Sequence, residues 1–395
     1  MASHMSRRGL LTSAAALGAC AAAPPAAPQA DVVGQPLRRW RRGGLDIHHI
    51  ATGKGDCTLV IGPDGSSLMI DAGASTTPTP ASLDARPNAD RRPGEWIGRY
   101  ARRHLAATGE PKLDAFWLTH LHPDHVDGLP DVAAQLPIGV LVDRDYPDYA
   151  YPKPSEAPFA KAYVDFVRAR VQAGGRVERF RVGAADQFQM PGLEIRNLAA
   201  GGEVWTGRGT DTRRLFPPIE DLAAADIPDE NACSSAIRLR YGAFDYFAAG
   251  DLLSHDFDGA LPWRDVETPA AQAAGPVDVA VAAHHGMFDA TGANVVRALK
   301  PRAWIIQAWH AAHPSTDVLE RMLSQRLYAG PRDVFATGLS PANEMAHKWL
   351  TDRLAAREGH VIVRVAPGGE SYRIVVTDNR NEGDKVLAIW GPWRA

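Results

Sequence analysis

The sequence predicts an α/β sandwich, two strand-rich halves with helices set between the strands, and three observations predict it. Short apolar β-type runs punctuated by Gly and Pro recur in both halves of the chain. Helical segments fall between those strands rather than in a block of their own, which argues against a helical bundle or an all-β protein. The 395 residues, 45% of them hydrophobic, are enough for one large core or two ordinary ones. No short repeat period is present, and no run reaches the roughly 18 apolar residues of a membrane-spanning helix.

The elements follow in order. Leu45–Ile50, Cys57–Ile61 and Ser67–Ile70 read as an antiparallel meander broken by Gly53, Gly55, Gly62 and the Pro63-Asp64-Gly65 turn. An amphipathic helix is predicted near Glu95–Ala107, then an apolar strand at Ala115–Thr119 that ends directly in a histidine cluster. A helix near Val126–Gln135 and a strand at Ile138–Val142 come next. The second half carries strands near Arg176–Val182, Leu193–Leu198, Ser235–Tyr241, Phe244–Ala248, Val277–Ala283, Ala303–Ala308, Val361–Val365 and Tyr372–Thr377. Its helices are expected near Thr291–Leu299, Thr316–Leu327 and Asn343–Ala356. Loop insertions are placed near 74–94, 143–158 and 199–230; the last is the longest irregular stretch, a length that usually covers a site or is disordered.

The first residues read as addressing rather than fold. Met1–Met5 resemble a cloning remnant, with Met5 the natural start. Ser6-Arg7-Arg8-Gly9-Leu10-Leu11 and the alanine-rich run to Ala19 resemble a twin-arginine export signal. Leu17-Gly18-Ala19-Cys20 resembles a lipobox, which would make Cys20 a lipid anchor; the plain alternative is an Ala/Pro-rich leader with two chance arginines. The expected organisation is a leader and linker over 1–35 and a single domain over 36–395, in an exported protein that is periplasmic or membrane-tethered.

Composition excludes several chemistries. Three cysteines cannot build a disulfide framework or a thiolate zinc site, although a bridge between Cys57 and Cys233 stays open. With 43 basic against 46 acidic residues the chain is no polyanion magnet, and Arg91-Arg92, Arg213-Arg214 and Arg238/Arg240 are pairs rather than a track. Nucleic acid is therefore not the favoured partner.

The strongest local signal is Thr119-His120-Leu121-His122-Pro123-Asp124-His125-Val126-Asp127-Gly128. A strand's period of two would put His120 and His122 on one side; Asp124 and His125, just beyond, can turn toward a second centre. Imidazole and carboxylate in this mixture suit Zn²⁺, Mn²⁺ or Fe. A polar surface turn is the bland alternative, but a core would not carry so many polar groups without a use.

This motif resembles the His-x-His-x-Asp-His signature of the metallo-β-lactamase superfamily, whose fold is a four-layer αβ/βα sandwich with a dinuclear metal site at a sheet edge. The resemblance extends to Gly53–Ile61 and Met69-Ile70-Asp71-Ala72-Gly73, similar to the first strands and Asp-x-Gly turn of the ComEC-type branch. Asn231–Leu239 with Phe247–Leu252, then Val281–Gly286, then His313-Pro314, resemble its later motifs, in order from Leu45 to Thr377.

The resemblance implies two divalent metal ions, Zn first with Mn or Fe as alternatives. One would be held by His120, His122 and Asp251, the other by Asp124, His125, Asp251 and His285. It casts Asp251 as the bridging carboxylate, Asp124 and His284 as catalytic, and Asn231 and His313 as substrate contacts. His284 and His285 would face opposite ways if their strand continued, and the reverse assignment of the pair stays open. Asn231 stands where most relatives have a third histidine, which leaves the first metal more open. Asp71 is expected to fix the loop by hydrogen bonding. Tyr146 and Tyr149 could stack a base or cage a quaternary ammonium, or simply pack their loop.

The implied reaction is hydrolysis by a metal-activated hydroxide, with a phosphodiester or related phosphoester from a small molecule or the cell envelope as substrate. Carboxyl-ester, lactone or β-lactam hydrolysis is the alternative on the same fold. A metal-free binding lipoprotein is the alternative from another class.

Overall fold

Alternation along the first strand shows how the layers form. In β1 (Leu45–His49), Leu45 and Ile47 face the other sheet, while Asp46 and His48 turn toward a helix layer. The computed structural model describes residues 1, 30–75 and 81–395, so the twin-arginine leader and Cys20 lie outside the described residues. Asp31–Ala395 form one compact unit.

After β1 come β2 (Thr58–Ile61), β3 (Ser67–Ile70), β4 (Leu113–Trp117), β5 (Ile138–Asp143) and β6 (Arg176–Arg179). The second sheet follows as β7 (Glu194–Ala200), β8 (Glu203–Trp205), β9 (Thr212–Arg214), β10 (Ala236–Tyr241), β11 (Phe244–Ala248), β12 (Val279–Val281), β13 (Ala303–Ile306) and β14 (Asp333–Ala336). The chain then returns to the first sheet as β15 (His360–Val365), β16 (Ser371–Thr377) and β17 (Val386–Arg394). One sheet has nine strands, ordered β17-β16-β15-β1-β2-β3-β4-β5-β6, and the other eight, ordered β14-β13-β12-β11-β10-β7-β8-β9.

Three apolar clusters separate four layers, the arrangement expected from sequence. The inner faces of the two sheets meet over Leu45, Val60, Trp117, Ile237, Tyr246, Ile305 and Val363. The first sheet's outer face is covered by α1 (Pro93–Leu105), the short α2 (Pro123–Val126) and α3 (Leu129–Ala133), and α4 (Pro158–Gln172). The second sheet's outer face packs on α5 (Glu267–Ala274), α6 (Ala293–Leu299) and α7 (Thr316–Leu323). Polar contacts also cross the inner core, among them Trp117 Nε1 to Ser235 Oγ at 2.7 Å and His49 Nε2 with Tyr246 Oη at 3.0 Å.

Strands β3 to β6 run parallel in one sheet and β11 to β14 in the other. Ligand sites collect beyond the carboxyl ends of parallel strands. Asp71 follows β3, the His120–His125 segment follows β4, Asp251 follows β11 and His284-His285 follow β12.

The structure corrects several expectations. β4 stops at Trp117, so His120 and His122 are not strand residues and their common orientation has another cause. β12 stops at Val281, and His284 (φ 48°, ψ 45°) and His285 (φ 53°, ψ 17°) sit in left-handed backbone, so strand alternation does not separate them. The predicted helix Val126–Gln135 is two short helices interrupted at Gly128. The 199–230 stretch is not irregular throughout, since β8, β9 and a single turn at Ile219–Asp221 lie within it. Cys57 and Cys233 are both buried and free.

Candidate metal centre

Five loops bring the imidazoles and carboxylates together. His120, His122 and Asp251 form one group whose ligand atoms lie within 4.8 Å of one another; Asp124, His125, Asp251 and His285 form a second on the same criterion. Asp251 belongs to both. Its Oδ1 lies 3.2 Å from His125 Nε2, and its Oδ2 lies 3.6 Å from His120 Nε2 and 3.5 Å from His285 Nε2. His120, His125, His285 and Asp251 are all buried.

Each inward-facing nitrogen is set by a bond at the other side of the ring. His125 Nδ1 donates to Asp71 Oδ2 at 2.8 Å and His285 Nδ1 to Asp56 Oδ1 at 2.8 Å. His120 Nδ1 lies 3.1 Å from Thr119 Oγ1, whose own proton goes to Asp71 Oδ2 at 2.7 Å. This leaves Nε2 of all three rings as lone pairs aimed inward, the tautomer that a metal ligand needs. His122 turns Nδ1 inward, 3.1 Å from His120 Nε2.

The residues fit a metal better than they fit one another. His125 Nε2, His285 Nε2 and Asp251 Oδ1 are buried atoms with no hydrogen-bond partner, a costly condition if nothing else binds there. His285 Nε2 comes within 2.9 Å of Asp124 Oδ2, yet makes no well-directed hydrogen bond. Burial alone would raise the Asp251 carboxyl, but His125, His285, His284 and His120 outweigh it and hold the group well below the usual carboxylate range. Burial would likewise lower His125 and His285, but Asp251 with Asp71 at one ring, and Asp56 with Asp251 at the other, drive both well above the ordinary imidazole value. The carboxylates thus call for positive charge, which a metal ion at the same inward-facing nitrogens would supply.

The backbone beneath is tightly threaded. Asp56 N donates to Asp124 O at 2.9 Å and Gly73 N to Asp56 O at 2.7 Å. A Cβ on Gly73 would come within 1.9 Å of Asp124 O, so only glycine admits this approach.

The remaining expected residues fall as follows. Asn231 Nδ2 lies 3.1 Å from His284 Nε2, and His284 Nδ1 lies 2.8 Å from Asp289 Oδ1. His284 Nε2 stays 3.9 Å from Asp251 Oδ2, outside both groups. The His313 ring stacks on His285, with centroids 4.7 Å apart and planes at 16°, and Trp309 meets both rings edge-on. Tyr149 spends its hydroxyl on Asp143 Oδ2 at 2.6 Å, and Tyr146 packs with it against the apolar layer beneath α4. Both contacts lie within the packing of their loop.

Sequence reasoning missed Asp56, Asp289, and the buried pair Arg144–Glu230. Glu230 Oε1 accepts the Leu121 N–H at 2.9 Å and Arg144 Nε at 2.8 Å, while Oε2 accepts Arg144 Nη2 at 2.6 Å. This clamp, together with Asp71, orients the His120–His122 turn. Asp56 lies within Gly53–Ile61 and Glu230 directly before Asn231, but nothing local announces their partners.

A two-sheet sandwich converging on a buried His/Asp cluster defines a metallohydrolase fold. Residues 51–310 match the metallo-beta-lactamase superfamily, and the chain belongs to that superfamily. No curated protein matches the sequence. Among solved structures, the diiron β-hydroxylase CmlA from Streptomyces venezuelae shares 13% identity at a TM-score of 0.40, covering 82% of this chain and 54% of that one. This chain therefore spans about half the length of CmlA. A diphosphatase of the PhnP family shares 13% identity at a TM-score of 0.34, covering 82% and 96%. Unliganded yeast PDE1 shares 11% at 0.39, covering 80% and 98%.

Proposed function

We propose that this chain is a metal-dependent phosphodiesterase of the ComEC-type branch, holding two divalent ions. His120, His122 and Asp251 would hold one ion, and Asp124, His125, Asp251 and His285 the other. A metal pair there would supply Lewis acidity toward a phosphoryl oxygen and water of lowered pKa.

The observation that carries the reading is the unequal make-up of the two groups. The first has three candidate protein ligands and the second four, and His284, with Asn231 bonded to it, stands 3.9 Å from the shared Asp251 without joining either group. An open position with two polar side chains beside it suits a tetrahedral oxyanion. Asp289 fixes the His284 ring through Nδ1, so the imidazolium, protonated at Nε2 as well, and the Asn231 amide can donate to the non-bridging oxygens of a phosphoryl group. His313, stacked on His285, would limit where the ester arms lie.

The charge pattern supports a small or envelope phosphodiester over nucleic acid. Arg238 and Arg240 both pair with Asp245, Arg144 with Glu230, and Arg214 Nη1 donates to Tyr151 Oη. Arginines committed in this way form no phosphate track. Among the described residues no helix is long and apolar enough to cross a membrane. Export through the twin-arginine leader, with Cys20 as a lipid anchor, is part of the same proposal and rests on the sequence of residues 6–20.

Metal analysis of the purified protein, followed by rates on bis(p-nitrophenyl) phosphate, a β-lactam and an aryl ester, tests the reading. Bound metal and chelator-sensitive hydrolysis of the diester are expected. A metal-free protein insensitive to chelator, or one that turns over only the β-lactam or ester, overturns it.

A further inference from the structure

Two phenylalanines near this centre stand in solvent. Phe257 and Phe288 are 49% and 51% exposed, on separate loops. His255 joins them, its ring centroid 4.7 Å from Phe257 and 6.0 Å from Phe288, at interplanar angles of 56° and 70°.

Both loops are fastened to groups that stand beside the shared Asp251. Ser254 N and His255 N donate to Asp289 O at 2.9 and 3.0 Å, and the Asp289 carboxylate holds His284. Phe288 directly precedes that aspartate. From the other side, the Arg264 guanidinium lies 5.3 Å from the Phe257 ring centroid and donates to Asp229 Oδ2 at 2.9 Å. Asp229 Oδ1 accepts the Ala232 N–H at 2.9 Å, beside Asn231. The aromatic pair is thus braced through one chain of contacts to His284 and through another to Asn231.

The backbone also acts against its own preference to present this ring. Phe257 and Asp258 have φ of 55° and 57°, a region that costs an L-residue roughly 1 kcal/mol or more. A ring held outward at that cost gains no core burial in return. Two rings also fall far short of the ~800 Å² per partner that a stable protein interface buries. About half of each phenylalanine instead stays exposed, surface against which a planar group can pack.

We propose that His255, Phe257 and Phe288 form an aromatic subsite for one ester arm of the substrate. The substrate class is then a phosphodiester carrying an aromatic or other planar ring on the arm that does not leave. The proposal rests on the phosphodiesterase reading for its chemistry, but the subsite itself can be tested by binding alone.

The test compares bis(p-nitrophenyl) phosphate with methyl p-nitrophenyl phosphate, which share a leaving group and differ in the second arm. Phe257→Ser/Phe288→Ser should lower the aryl-to-methyl ratio of kcat/KM by about tenfold, through KM, with the methyl diester within about twofold of wild type. Unchanged melting of the variant confirms that it folds; if the double variant does not fold, each single serine variant should lower the ratio in part. An unchanged ratio overturns the subsite. If the wild-type protein hydrolyses neither diester, the functional reading fails on its own. Calorimetric binding of phenyl phosphate against methyl phosphate to the metal-loaded protein then decides the subsite: a phenyl preference lost in the variant supports it, and no preference overturns it.

Discussion

Glu230 accepts the backbone N–H of Leu121 at 2.9 Å and thereby grips the peptide between His120 and His122 from 109 positions further along the chain. The same carboxylate is paired with Arg144, whose side chain is only 6% exposed. Glu230→Leu would strand that buried guanidinium and release the Leu121 N–H, a loss of about 3–5 kcal/mol for a broken buried pair. Glu230→Gln keeps an acceptor for Leu121 and should cost distinctly less. Urea unfolding of the two variants measures the order; a leucine variant as stable as wild type would show that the clamp contributes nothing.

Asp251 is the group on which both candidate metal positions depend. Asp251→Asn removes the one negative charge shared by the two groups while keeping the side chain's shape. Bound metal should fall toward zero, and the diesterase rate expected from the proposed function by at least about 100-fold. Full activity with both metals retained would show that this carboxylate does not bridge.

How far the sequence shows this site depends on the distance over which each relationship acts. His120 to His125 could be read directly, because the ligands crowd into one short segment. Asp251 and His285 could be read only through the order of motifs, since each comes from a different strand end. Asp56 against His285, 229 positions apart, and Arg144 against Glu230, 86 apart, are pairings of single side chains that no local pattern signals. The fold shows the same division. β2, β3 and β11 are apolar runs between turns and fall within a residue of their expected bounds. β17 contains Gly391-Pro392, a turn signal, and survives because it lies at the sheet edge, where a missing N–H is tolerated. α4 was missed because its buried residues Ala160, Tyr163 and Val167 form a narrow stripe among polar neighbours.

A histidine cluster away from the metal groups should make the fold sensitive to acid. His48 and His360 are buried near Tyr100, with Asp46, Arg103, His104, Arg364 and Asp384 around them. Burial pushes His360 down from 6.5 to about 4 and His48 well below the ordinary value. Both stay neutral in the native state while the unfolded chain takes up protons below pH 6.5, so stability falls as pH drops from 6.5 through 4. His360→Gln keeps an acceptor for the Ala51 N–H, which His360 Nδ1 accepts at 3.0 Å. The variant should lose less stability than wild type between pH 7 and pH 5, read from urea midpoints; equal losses would remove His360 as a source.

Glu267 acts in the opposite direction. Burial pushes its carboxyl up from 4.5 to about 8, although its Oε2 accepts the Thr291 N–H at 2.6 Å. Between those two values the unfolded chain has released the proton and the native protein has kept it, so this group's contribution is full below pH 4.5 and lost as pH rises through 8. Glu267→Gln cannot ionise but can still accept from Thr291. It should be nearly neutral at pH 5 and raise Tm by at least about 2 °C at pH 8.5. A difference that is the same at both pH values would show that Glu267 is already ionised in the fold.

Asp71 and Asp56 orient His125 and His285, and the structure ranks them. Asp71 accepts three bonds, from Thr119 N at 2.8 Å, Thr119 Oγ1 at 2.7 Å and His125 Nδ1 at 2.8 Å. In Asp71→Asn the amide nitrogen must face at least one of these donors, so either His125 or Thr119 loses its acceptor. His285 Nδ1 is less dependent on its aspartate, because Gln307 O lies 3.2 Å away as a second acceptor. Loss of such an outer partner lowers metal affinity by about 10–100-fold. Asp71→Asn should fall toward the upper end of that range and Asp56→Asn toward the lower, with both variants folded. Competition of each variant against a chromophoric chelator gives the order directly, and a larger loss in Asp56→Asn would mean that the Gln307 carbonyl does not support the ring.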